Sequence, residues 1–145
     1  MGSLDLPKEG LIYLDTSPVI YAVEKIPPYA ELLQPLWLLA ASGKVQLVGS
    51  ELLILETLVK PIQLGDQELI TAFQNFLASQ EMTLLPISSR ILEKATQYRA
   101  KLGIKTPDAI HIATARLAKC DLCVTNDKAF TRVPNLNVTV LQNCL

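Results

Sequence analysis

A single histidine, His111, occurs in the 145 residues, and a mechanism built on paired histidines as acid and base is therefore closed to this chain. A serine triad meets the same obstacle, and no G-x-S-x-G is present. Neither G-x-x-x-x-G-K-[ST] nor G-x-G-x-x-G occurs, so a glycine-rich nucleotide loop has no support. Charge of one sign is lacking too. Thirteen Lys and Arg stand against 14 Asp and Glu, a formal net charge of −1, so bulk electrostatics cannot hold nucleic acid. Binding would need a local basic patch, and the linear sequence displays none.

Long hydrophobic runs are missing. No stretch reaches the ~18 apolar residues of a membrane span, and the richest, Leu32 to Ala41, is interrupted by Gln34 and Pro35. The N-terminus lacks a basic and then apolar leader, so a soluble, cytoplasmic protein without membrane association is expected. Of the three cysteines, Cys120 and Cys123 form a C-x-x-C. It falls where a helix ends and a strand begins, the wrong polarity for a redox pair activated at a helix N-terminus. A zinc site would need two more ligands, and only Cys144 and His111 remain. Buried, reduced thiols are the expectation.

Half of the residues are hydrophobic and the mean hydropathy is +0.30, which describes a globular chain with one core. A single domain over residues 10–145 is expected, preceded by a tail at residues 1–9. Gly10 to Asp15 reads as a buried parallel strand ending in an acid. Thr16-Ser17-Pro18 opens a short helix to about Glu24, and a helix kinked at Pro35 runs on to Ser42-Gly43. Val45 to Gly49 is a second strand, and Ser50 caps a helix from Glu51 to about Lys60 that Pro61 closes. Gly65-Asp66 leads into a helix through about Ser79, and Met82 to Ile87 is a third strand. Ser88 or Ser89 caps a helix ended by Gly103; its apolar positions Ile91, Leu92, Ala95, Tyr98 and Leu102 have helical spacing. Thr106 then acts as N-cap, with Pro107 at the first helical position, of a helix to about Lys119. Asp121 to Thr125 and Asn137 to Leu141 are the last two strands. Strands alternating with helices imply right-handed crossovers and an α/β fold: a single-domain α/β/α sandwich around a mostly parallel sheet of about five strands. Such sheets bind ligands beyond the carboxyl ends of their strands, where strand order reverses.

Four acids lie where they can reach that rim. Asp15 ends the first strand, Asp127 follows the fourth, Asp108 opens a helix, and Glu56 sits inside the helix after the second strand. Each has a plainer reading: Asp15 as a helix cap, Asp127 as a turn residue, Asp108 as a first-turn anion favoured by the helix dipole, and Glu56 as a partner of Lys60 one turn on. Glu56 fits its plainer reading least well. Leu52, Leu53, Ile54, Leu55, Leu58 and Val59 surround it, and a carboxylate in such a setting requires a cation or donors. Together Asp15, Glu56, Asp108 and Asp127 are hard oxygen donors without His or Cys, a set that suits Mg²⁺ or Mn²⁺. Such ions hold a phosphate, lower the pKa of a bound water and stabilise a leaving oxygen. Thr16, Ser17 and Thr125 add hydroxyls beside the acids. His111, one turn after Asp108, is expected to pack in the interior, and Trp37 to belong to core or interface. The apolar helices at Leu32–Ala41 and Leu52–Val59 suit a buried interface and core burial equally.

Leu14-Asp15-Thr16-Ser17, Glu56-Thr57-Leu58, Pro107-Asp108-Ala109-Ile110-His111-Ile112-Ala113-Thr114-Ala115 and Val124-Thr125-Asn126-Asp127-Lys128-Ala129-Phe130 resemble the signature blocks of PIN domains. The nearest resemblance is to the VapC-type ribonuclease toxins. It spans about Leu11 to Leu141, and its D-A-I-H-I-A-T-A and T-N-D blocks are the specific ones. The resemblance implies a parallel sheet sandwiched by helices and a metal cluster at Asp15, Glu56, Asp108 and Asp127. Its hydroxyl-bearing positions fall on Thr16 or Ser17, and on Thr125. Ala129 departs from relatives that often carry a further acid there, which leaves a fifth, auxiliary ligand without support and the core four intact. The implied activity is metal-dependent hydrolysis of RNA by the toxin of a VapBC-type toxin–antitoxin pair. The implied assembly is a homodimer neutralised by a cognate antitoxin that often inserts an arginine-bearing segment. A non-toxin PIN nuclease in RNA processing and a catalytically silent interaction module are the rival readings. A phospho-acceptor domain does not fit, since Asp15 stands alone and Ser88 follows Ile87.

Overall fold

In the computed structural model, which describes residues 2–145, five strands alternate with six helices. The order is β1 (Gly10–Leu14), α1 (Thr16–Glu24), α2 (Tyr29–Ala41), β2 (Val45–Ser50), α3 (Leu52–Leu64), α4 (Gln67–Leu77), β3 (Met82–Leu85), α5 (Ser89–Leu102), α6 (Thr106–Leu117), β4 (Leu122–Thr125) and β5 (Val138–Val140). Short 3-10 turns at Lys128–Arg132 and Leu141–Cys144 complete it. Residue 1 of the expected tail lies outside the described residues; Leu4 and Leu6 of that tail pack against the core.

Every strand pairing is parallel, in the spatial order β3-β2-β1-β4-β5. This is the expected α/β/α sandwich. β1 shows why both faces must be covered: Ile12, Tyr13 and Leu14 are fully buried, and alternate side chains of a strand point to opposite faces. Ile12 and Leu14 join Val19, Leu33 and Phe73 on one side, whereas Tyr13 joins Ile91, Tyr98 and Ile112 on the other. Helices α1, α2 and α4 therefore cover one face, and α5 and α6 the other. The chain leaves β1 towards β2 and β3, then returns to lay β4 on the opposite side of β1. The carboxyl ends of β1 and β4 form the point of reversal that such sheets offer to ligands.

Local punctuation follows sequence in most places. Ser88 accepts the Ile91 N–H at 3.2 Å and Asp66 accepts that of Leu69 at 3.1 Å, each opening its helix. Gly103, at φ 66°, closes α5 in the left-handed conformation that costs glycine least. Four expectations need correction, the first being that Glu51, not Ser50, takes the cap position of α3, since Ser50 ends β2. Pro61 does not close α3: the helix continues to Leu64, with Pro61 buried inside it. Proline in the last turns forfeits one backbone donor, and the stop is supplied instead by Gly65. There the Gly65 N–H bonds Ile62 O at 3.1 Å and the Asp66 N–H bonds Pro61 O at 3.0 Å, a Schellman pair. Lys105, not Thr106, takes the cap position of α6. β3 stops at Leu85, just before Pro86, rather than running to Ile87. Among the described residues, no helix is long and apolar enough to cross a membrane.

Candidate active site

β1 and β4 pair through Leu14 and Val124, and the Asp15 N–H then donates to Val124 O at 3.1 Å. That bond carries Asp15 just past the strand end, buried at 6 % exposure. Asp15 occupies the cap position of α1, yet its carboxylate makes no cap bond. Oδ2 instead accepts the Thr125 hydroxyl of β4 at 2.6 Å. Burial raises the Asp15 carboxyl above its ordinary range, and the nearby Glu56 charge adds to this. The His111 charge, the Thr125 hydroxyl and the Thr16 backbone N–H pull the other way without cancelling it.

Glu56 reaches the same place from α3. Its Oε1 accepts the Thr16 hydroxyl at 2.7 Å and faces His111 Nε2 at 2.6 Å. Glu56 has the donors its setting requires, but the setting is less apolar than expected: Ile54, Leu55 and Val59 beside it are exposed, and Glu56 itself is half-buried. Partial burial pushes its carboxyl upward. The His111 and Thr16 hydrogen bonds and the His111 charge together outweigh it, and the net result lies below the ordinary glutamate range.

His111 corrects the expectation of simple packing. At 1 % exposure it is interior, but both ring nitrogens are engaged: Nδ1 with the Tyr13 hydroxyl at 2.6 Å, Nε2 with Glu56 and, at 3.2 Å, with Thr16 Oγ1. Nε2 also lies 3.5 Å from Asp15 Oδ1. Tyr13 itself went unremarked in the sequence. The available signal was a phenol in an otherwise apolar strand run, since a buried Tyr hydroxyl requires a partner. Burial first, and then the Asp15 charge, holds that phenol well above its ordinary pKa, so it keeps its proton.

Asp108 and Asp127 form the other side. Asp108 stands in the first turn of α6. Asp127 Oδ1 accepts the Ala129 N–H at 2.8 Å and so caps the 3-10 turn, as the turn reading expects. Burial, then the hydrogen bond and charge of Asp127, and then the charge of Asp15, push the Asp108 carboxyl up to about 7. Ser17 turns away from the acids and accepts the Asn126 N–H at 3.1 Å, while the Asn126 amide donates to the Tyr21 hydroxyl at 2.9 Å. Asp15, Thr16, Ser17, Glu56, Asp108 and Asp127 all line one open cleft of roughly 560 Å³, with Ile20, Tyr21, Asn126 and Lys128 completing its wall. Thr125 lies beneath it, fully buried. Among the described residues, no group of three or more His, Cys, Asp or Glu side chains is placed so as to hold a metal ion.

The C-x-x-C lies apart from this cleft. Burial first, with help from Asp121 for Cys120 and from Cys120 and Asp15 for Cys123, pushes both thiols up to about 12. Neither is a thiolate near neutral pH, and reactivity follows thiolate character.

The profile of the PIN domain matches residues 12–136, nearly the whole chain. The chain belongs to the PIN domain family. No curated protein matches it. Solved structures similar to this PIN domain include VapBC2 from Rickettsia felis bound to a promoter DNA fragment, at TM-score 0.71 and 20 % identity over 89 % of this chain and 97 % of that one. DNA-bound VapBC from Salmonella typhimurium gives TM-score 0.71 and 17 % identity, over 88 % and 96 %. VapC20 of Mycobacterium tuberculosis, a toxin that cleaves the sarcin–ricin loop, gives 0.68 and 16 %, over 83 % and 92 %. At such identities the likeness carries the fold.

Proposed function

We propose that this PIN domain is a metal-dependent endoribonuclease, the toxin of a VapBC-type pair, acting in the cytoplasm as a homodimer and silenced by a cognate antitoxin. One observation carries the reading: Asp15, Glu56, Asp108 and Asp127 all line a single open cleft at the carboxyl ends of β1 and β4. The toxin reading is supported by structural neighbours solved as VapBC complexes. An exposed apolar strip on α3, including Leu55, Val59 and Ile62, supports a protein interface.

The donor chemistry fits a hard divalent cation, because four carboxylates and no thiolate line the cleft and Asp108 is crowded by Asp127 and Asp15. Asp15, Glu56, Asp108 and Asp127 would hold Mg²⁺ or Mn²⁺, which when bound supplies positive charge to the scissile phosphate and acidity to water. The protein's own groups do the rest. Thr125 fixes Asp15, and Thr16 and His111 fix Glu56, so two of the acids are held in place before substrate arrives. Lys128 on the cleft wall adds a cation that can meet a phosphate. His111 cannot act on RNA as acid or base, being 1 % exposed and bonded at both nitrogens.

With no acid–base pair to activate a 2′-hydroxyl, water is the nucleophile and the products carry 5′-phosphate and 3′-hydroxyl ends. Mass spectrometry of an oligonucleotide cleaved with Mg²⁺ or Mn²⁺ checks this; a 2′,3′-cyclic phosphate would refute the mechanism.

A further inference from the structure

We propose that His111, braced by Tyr13, is a positioning residue that sets the orientation of Glu56 in the cleft. The inference rests on the acidic cleft being the metal site. A carboxylate only accepts hydrogen bonds, so the 2.6 Å contact requires the hydrogen on Nε2. A protonated ring keeps that Nε2–H bond; in the neutral ring Nδ1 is the acceptor for the Tyr13 hydroxyl, also at 2.6 Å. A directed chain results: Tyr13 O–H to Nδ1, and Nε2–H to Glu56 Oε1. One hydrogen bond fixes the tautomer and the other carries its effect to the carboxylate.

Three elements meet in this chain: Tyr13 on β1, His111 on α6 and Glu56 on α3. The strand is the rigid one, with Tyr13 fully buried between the sheet and the α5–α6 layer. Glu56 is the flexible one, a long side chain on a helix whose neighbours Ile54, Leu55 and Val59 are exposed. Left to itself it would sample several rotamers. Thr16 and His111 both engage Oε1, which leaves Oε2 as the oxygen not held by these donors. Glu56 is thereby presented through one oxygen. The same Nε2 stands 3.5 Å from Asp15 Oδ1, so the ring also sets the gap between the two acids. Burial alone requires partners for both ring nitrogens; what it does not require is that one of them be a carboxylate lining the cleft.

The test compares His111→Leu, His111→Gln and Tyr13→Phe with the parent, measuring Mn²⁺ affinity by calorimetry and kcat and KM separately on an RNA oligonucleotide. Loss of a partner that orients a ligand costs about 10–100-fold in metal affinity or activity. The expected result is such a loss in His111→Leu, in Mn²⁺ affinity and in kcat, with KM for RNA little changed. His111→Gln, which keeps an N–H donor, should recover part of it, and Tyr13→Phe should lose less in the same direction. Parent values in folded His111→Leu would overturn the proposal. Should that variant fail to fold, parent-like values in both of the others would do so. A parent that binds Mn²⁺ but cleaves no RNA, with affinity still lowered in the variants, would sink the ribonuclease reading and leave the positioning role standing. A parent that binds no divalent metal would overturn both.

Discussion

Glu56 and Asp108 are both carboxylates on helices lining one cleft, yet their surroundings drive them in opposite directions. Glu56 meets two donors, Thr16 and His111, and its carboxyl falls below the ordinary range. Asp108 meets another acid, Asp127, and rises to about 7. One wall of the cleft is neutralised from within by the protein's own hydrogen bonds. The other is neutralised only by a proton or by something that arrives from outside. A fold that satisfied every acid internally would have no affinity left for a cation; one that satisfied none would lack a fixed geometry to offer it. The contrast separates the part of the site that sets shape from the part that supplies attraction.

The sharpest break is cleavage itself. Asp108→Asn and Asp15→Asn should each lower the rate at saturating Mn²⁺ by at least about 100-fold, since each removes charge worth several kcal/mol in the transition state. Circular dichroism should show the fold intact, and full activity in either purified variant would end the assignment. Next in size is the response to metal. At Mn²⁺ 100 times its Kd, the parent should gain about 2.7 kcal/mol by mass action, and Asp108→Asn less. Thermal melts with and without EDTA read this directly.

In EDTA the two walls should answer mutation with opposite signs. Asp108→Asn should stabilise the protein by about 0.5–2 kcal/mol, the range typical of relieved functional strain, reduced where solvent screens the pair. Thr16→Val should destabilise it by about 1 kcal/mol by removing a donor from Glu56. pH sharpens the same contrast. Asp108 binds its proton more tightly folded than unfolded, so it favours the fold below pH 4 and that advantage is lost as pH rises towards about 7. Asp15, also raised, acts in the same direction. Glu56 has the opposite sign: its stabilisation is present above its ordinary pKa and lost as pH falls through its lowered folded value. Melts of the metal-free protein should therefore show higher stability near pH 5 than pH 8, and Asp108→Asn should flatten the difference. The smallest effect belongs to Cys120→Ser with Cys123→Ser, which should keep cleavage with only some loss of stability. Loss of activity in the folded double variant would reopen a redox or zinc role.

Sequence made the attracting wall easier to see than the shaping one. Asp15, Asp108 and Asp127 each stand at the end of an element, and strand ends and helix starts leave marks in a linear chain: a short apolar run, a proline, a Thr-Asn-Asp. Placing those ends together required only the rule for parallel sheets. His111 was visible one turn after Asp108, but its neighbours were not. Tyr13 is 98 residues away and Glu56 is 55, and nothing in local spacing says that β1 turns its phenol towards α6. Pro61 misled for a related reason. Proline ends helices by local sterics, but the buried seat of this one and the cap offered by Gly65 carried α3 a turn further.

The pairing of β1 with β4 has a consequence for a chain still being made. Asp15 meets Thr125 across 110 residues, and the Asp15 N–H closes on Val124. A nascent chain stopped before β4 already contains Asp15, Glu56 and Asp108, yet it lacks the strand that fixes Asp15 and the turn that bears Asp127. Contacts so distant in sequence form late, after the intervening loop has been closed. The four acids can thus line one cleft only once β4 has docked, and a copy cut short before β4 lacks both Asp127 and the partner that fixes Asp15.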